Sequence, residues 1–342
     1  MMKQIMAILL SFVLTLISVG CQSGGTKLYF TSDRDGNLEI YSTIVNSGEE
    51  INVTDKAEDE YDPVLSPDSK WVAFLVGDKN SSSIDVLSLD SGDSPERFTI
   101  SKGTGKFSTP VWSPDSKRIA FTGEVSGKGS RIYITAVGES SPARLSDIEV
   151  TGVGDWSHNG GSVVFSSIDG KRSGIHVRNP DGVNQRQMTC ARDYDPVWSP
   201  DSKKLAFISE RDGNADIYAM DRDAMDDLCP DKKDSRLEAY QLTETDETES
   251  DVSWSPDGKR LIFVSERDGN KEIYVMEESG NKQTRLTYNE IPDYDPVWSP
   301  DGSTIAFVSE LDGDADIFVM NDKGENQTRV TNNDASDTDP SW

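Results

Sequence analysis

The nonapeptide DYDPVWSPD occupies residues 193–201 and returns unchanged at 293–301. Its Trp sets the phase of the whole chain. Trp112, Trp156, Trp198, Trp254, Trp298 and Trp342 all stand at that position, Leu65 fills it once, and the intervals from Leu65 onward are 47, 44, 42, 56, 44 and 44 residues. Six of the seven Trp in the sequence are therefore one repeated feature. A period near 44 with Trp and turn signals at fixed offsets predicts propeller blades of four strands each, with the Trp wedged between neighbouring blades.

Each period has the same grammar. YDPVWS (294–299) reads as a first strand, PDG (300–302) as a tight turn, TIAFVS (304–309) as a second strand apolar on both faces, and DIFVM (316–320) as a third. A polar turn then leads to a short fourth strand, TRVT, at 328–331. Pro presets the first turn dihedral and Gly tolerates positive φ. A strand apolar on both faces is one covered on both sides. First strands fall near 62, 109, 153, 195, 251, 295 and 339, and second strands begin near 28, 71, 118, 162, 204, 260 and 304, seven of each. The chain opens on a second strand (27–32) and ends on a first (337–342). An all-β, single seven-bladed propeller is expected over 27–342, with one blade closed by pairing of its N- and C-terminal parts. Such closure removes exposed edges. Helical periodicity appears nowhere after the leader.

WSPDGKRLIFVSERDGNKEIYVM (254–276), RLT (285–287) and WSPDGSTIAFVSELDGDADIFVM (298–320) resemble the TolB-like beta-propeller repeat family. The resemblance covers nearly all of 27–342 and implies a cell-envelope propeller that works by binding. The family's founding member is similar only in its propeller: it has six blades and an extra N-terminal α/β domain, whereas seven blades are counted here and no such domain is seen. Fold alone does not carry function.

Residues 1–20, MMKQIMAILLSFVLTLISVG, have one charge, Lys3, ahead of an apolar run from Ile5 to Ile17, as a secretory signal does. Small residues precede Cys21, in the manner of a bacterial lipobox, although Ser18 stands where Leu is usual. The expected organisation is a signal peptide at 1–20, a lipidated tether at 21–26 with Cys21 as the lipidation site, and the propeller. The protein is expected to be exported, membrane-anchored through lipid, facing the periplasm or cell exterior, and monomeric. Residues 21–342 keep 33 basic against 61 acidic residues. That charge repels nucleic acid and favours cations or basic partners.

Enzyme signals are sparse. No G-x-S-x-G occurs, and the two His, His158 and His176, cannot build a His-rich metal site. What remains is carboxylate. Connections from fourth to first strands share a face with the turns between second and third strands, and that face collects the acids. Asp62, Asp195, Asp251, Asp295 and Asp339 are expected to ring the channel mouth, where calcium, which takes 6–8 oxygens, is the candidate cofactor. Thr109 and Val153 break the ring and mark one side as a contact surface. Asp193, Asp293, Asp337, Glu210, Asp212, Glu266, Asp268, Glu310 and Asp312 are expected to face a partner. An insertion at 221–240 carries Cys229, a candidate disulfide partner for Cys190. The reading is a non-enzymatic binding or scaffold propeller with an envelope protein partner, for which the acidic face favours a basic one. Two rivals stand beside it: a glycan lyase or hydrolase using the channel carboxylates, and a sensor for calcium or a cationic ligand.

Overall fold

A computed structural model describes residues 26–342, apart from 46, 79–80, 91–94, 103–104, 126–128, 223–238 and 312. Cys21, Cys229 and Asp312 lie outside the described residues. The described chain forms seven four-stranded antiparallel sheets and one short 3₁₀ turn, Gly170–Arg172. Blade 1 joins Asp337–Ser341 to Lys27–Ser32, Glu39–Ile44 and Glu50–Asn52. Blades 2 to 7 begin at Glu60, Val111, Gly152, Asp193, Glu249 and Asp293. In blade 7 the order is Asp293–Trp298, Thr304–Ser309, Asp316–Asn321 and Thr328–Arg329. Closure follows the expected pattern: Tyr29 pairs with Ser341, Thr31 with Thr338 and Ser32 with Asp337. Blade 3 departs from the others. Its first strand is only Val111–Trp112, with an isolated bridge from Phe107 to Gly123 upstream.

The core lies between blades. One Phe from each second strand is fully buried: Phe30, Phe74, Phe121, Phe165, Phe207, Phe263 and Phe307. This Phe repeats without exception, whereas the Trp does not. The Trp wedge is present as expected. Trp198 packs with Val164, Ile175 and Val177 of the preceding blade. Trp112, Trp254 and Trp342 each donate their indole N–H to a carbonyl of the preceding blade, at Val64, Val197 and Val297 respectively. The wedge therefore carries its own polar partner at these three positions.

The first turn of five blades is fixed by an Asp, and that of blade 4 by Asn159. Asp301 Oδ1 accepts from the Ser299 hydroxyl at 2.7 Å and from Ser303 N at 3.0 Å. These bonds hold its carboxyl below the usual range. Gly302 takes φ 70° there, and in three other blades Ser69, Ser116 and Ser202 take φ 57–58°.

Candidate functional site

Five first strands carry the same backbone device. Asp62, Asp195, Asp251, Asp295 and Asp339 sit at φ 53°, 48°, 52°, 49° and 54°. Asp is among the few L-residues that tolerate this left-handed region. Each lies where strand pairing slips, between Tyr61 and Val64, Tyr194 and Val197, Ser250 and Ser253, Tyr294 and Val297, and Thr338 and Ser341. These are β-bulges, and a bulge re-aims a side chain. Asp62, Asp251, Asp295 and Asp339 line one cavity of about 430 Å³ at the channel mouth, beside Thr109. Thr109 donates to Asp62 Oδ2 at 3.0 Å, so blade 3 enters the ring as a hydrogen-bond donor.

Crowding these carboxylates changes their acidity. Burial first, then the charge of Asp339, pushes Asp62 up to about 6. Burial, then Asp251, Asp339 and Asp62, pushes Asp295 up to about 7, with Lys271 opposing. Asp195 is raised by burial and by Asp251. The ring departs from the calcium cage expected from the sequence. Among the described residues no group of three or more His, Cys, Asp or Glu stands close enough together to hold a metal ion. With one carboxylate from each of five blades, the ring spreads its charge around a mouth instead of gathering it at a point.

The other acids divide in two. Asp193, Asp293 and Asp337 are fully buried, which corrects the expectation that they face a partner. Arg211 reaches both Asp193 oxygens at 3.0 Å, and Arg34 reaches both Asp337 oxygens at 3.0 and 3.1 Å. Arg267 reaches Glu249 at 2.9 Å, and Arg97, from a fourth strand, reaches Glu60 at 2.5 Å. In blades 1, 5 and 6 the guanidinium also lies 4.2–4.6 Å from the centroid of a Tyr ring, at Tyr41, Tyr218 and Tyr274. Those Tyr hydroxyls donate to Asp35, Asp212 and Asp268. Asp212, Asp268 and Glu310 are exposed, while Glu210 and Glu266 are half-buried, with Glu210 paired to Arg192 at 2.9 Å. The arginines are functional parts that the acid count missed. Their signal is the Arg inside SERDG, set between two acids. Cys190 is disulfide-bonded.

At the opposite mouth blade 4 substitutes GDW for PVW. Asp155 accepts from Trp156 N at 2.7 Å and Trp198 N at 2.8 Å. It lines a cavity of about 550 Å³ with His158. Burial pushes its carboxyl up to about 6. His176 is buried, stacked on Phe165 and hydrogen-bonded to the Arg172 carbonyl.

Residues 92–227 and 237–342 match the TolB beta propeller domain. The chain belongs to that family. A protein TolB homolog from Chlorobium luteolum is 36% identical over 116 residues, 33% of this chain and 26% of that protein. The match thus spans about a quarter of that relative's length. The crystal structure of TolB from Acinetobacter baumannii is similar with a TM-score of 0.61 at 17% identity, over 92% of this chain and 66% of that one. An oligogalacturonate lyase in complex with manganese is similar with a TM-score of 0.66 at 18% identity, over 87% of this chain and 86% of that one. These two structural likenesses concern the fold alone.

Proposed function

We propose that this protein is a non-catalytic binding propeller of the bacterial envelope whose acidic channel mouth takes a basic segment of a protein partner. The observation that carries this reading is the bulge-borne Asp ring. Burial first, and then the charge of neighbouring ring members, raises Asp62 to about 6 and Asp295 to about 7. A lysine or arginine at the mouth displaces those protons and relieves the repulsion. Membership of the TolB beta propeller family supports binding in preference to turnover. The leader and Cys21 support export and a lipid anchor. Cys21→Ser is expected to move the protein from the membrane fraction to the soluble one, and retention with an intact leader would rule the anchor out.

The test of the mouth is the double variant Asp62→Asn/Asp295→Asn. Both carboxyls are raised in the fold, so their ionisation opposes folding. The penalty is absent below about pH 4, grows between pH 4 and 7 and is complete above 7. At pH 8 the variant should be more stable by about 2 kcal/mol once channel water is allowed for, and its melting profile between pH 5 and 8 should be flatter. Binding of a short lysine- and arginine-bearing peptide should weaken at least ~10-fold. In the native protein at pH 6.5 that binding should release protons, measured calorimetrically in two buffers. Unchanged affinity in the variant, or glycan turnover by the purified protein, would overturn the reading.

A further inference from the structure

We propose that the turn side of blade 7 is a receptor for an arginine side chain of the partner protein, with Asp293 as the carboxylate that receives it. The proposal rests on the binding reading above and adds a second contact with its own readout. Five blades start their first strand with an acid. Four of these acids have an arginine from their own blade: Asp337 with Arg34, Glu60 with Arg97, Asp193 with Arg211 and Glu249 with Arg267. The fifth, Asp293, is paired with no cation among the described residues.

The reason is a single position. Where blades 1, 5 and 6 carry Arg34, Arg211 and Arg267, blade 7 carries Leu311, which is 50% exposed. The rest of the arginine's surroundings is kept. Ser32, Ser209 and Ser265 accept the arginine Nε at 2.7–2.8 Å in those blades, and Ser309 holds the same place here. The aromatic platform is kept too, as the pair Phe307 and Phe318 with ring centroids 5.7 Å apart. Asp293 itself is 0% exposed; Asn289 donates to Oδ2 at 2.7 Å and the Ser309 and Thr287 hydroxyls favour the ionised carboxylate from close by, while no cation among the described residues faces it and Oδ1 makes no direct hydrogen bond. A buried carboxylate oxygen without a partner is costly. A guanidinium stacked on an aromatic face is the chemistry this fold uses to reach both oxygens at Asp337 and Asp193, and Oε1 alone at Glu249. A half-exposed Leu stands at the position the arginine holds in the other blades.

The experiment is a titration of the intact protein with N-acetyl-arginine amide, followed by the backbone amide resonances of residues 309–318. Saturable shifts are expected. N-acetyl-lysine amide should bind at least ~5-fold more weakly, because a point charge lacks the fork. Asp293→Asn and Leu311→Arg should each abolish the shifts. Leu311→Arg, which supplies the cation internally, should also raise Tm by about 2–4 °C. Asp62→Asn/Asp295→Asn should leave arginine binding here unchanged, so this contact and the channel mouth can fail separately. Free arginine, with its own carboxylate, should bind more weakly than the blocked amide. Tighter binding of the free amino acid would overturn the assignment to a protein side chain. Absence of saturable shifts, equal binding of lysine, or binding that survives Leu311→Arg would overturn the site itself.

Discussion

Removal of residues 337–342 is expected to lower Tm by more than ~10 °C at pH 7. Three losses coincide. The first is the innermost strand of blade 1, whose pairing with Lys27–Ser32 closes the ring. Without it an unpaired edge faces the channel, a template for association with other chains. The second is Trp342, which packs with Val308, Ile317 and Val319 of blade 7 and donates to the Val297 carbonyl. Deleting a packed Trp costs about 3–5 kcal/mol. The third is Asp337, which leaves Arg34 facing Glu50 alone. At about 2–4 °C per kcal/mol for a domain approaching this size, the packing loss by itself gives a fall of about 10 °C. Differential scanning calorimetry and size exclusion read both consequences, the lower melt and the association. An unchanged melt would mean that the ring stands open without its terminal strand, which the register does not allow.

Blade number, second strands and closure were legible because the signal is redundant. The second strands Thr304–Ser309, Lys204–Ser209 and Arg260–Ser265 are bounded by the same turns in each copy, so an error in one is corrected by the others. Blade 3 shows the limit. Phe107 stands where five blades have an acid, and the first strand of blade 3 shrinks to two residues.

The acids were less legible for a definite reason. In a regular strand residues i and i+2 share a face, so the pair in Asp193-Tyr194-Asp195 reads as two acids on one surface. The bulge breaks that rule between Tyr194 and Val197. Asp195 turns to the mouth, while Asp193 stays in register opposite Ser209, buried beside Arg211. In four of the five blades the Asp-Pro step is the visible trace of the bulge, since Pro cannot donate to the ladder; in blade 6 Asp251 is followed by Val252. Recognising that step separates the two roles from the sequence in blades 1, 2, 5 and 7.

That separation carries the remaining prediction, Arg211→Leu, which copies into blade 5 what blade 7 already has at Leu311. Arg211 donates to both oxygens of a buried Asp193 and lies 4.5 Å from the Tyr218 ring centroid. Removing one partner of a buried pair costs about 3–5 kcal/mol, because the other charge remains buried. A drop in Tm of about 10 °C is therefore expected at pH 8. Adding Asp193→Asn should restore most of it, since a neutral amide needs no cation. In blade 7 the same logic runs from the native state: Asp293 is already raised by burial, and Asp293→Asn should stabilise by about 1 kcal/mol at pH 8. If Arg211→Leu costs less than about 1 kcal/mol, the hydroxyls around these acids suffice without arginine. Blade 7 would then have little to offer an incoming guanidinium. A large loss, repaired by the neutral amide, shows that each such acid demands a cation, and that in blade 7 the demand is left for another chain to meet.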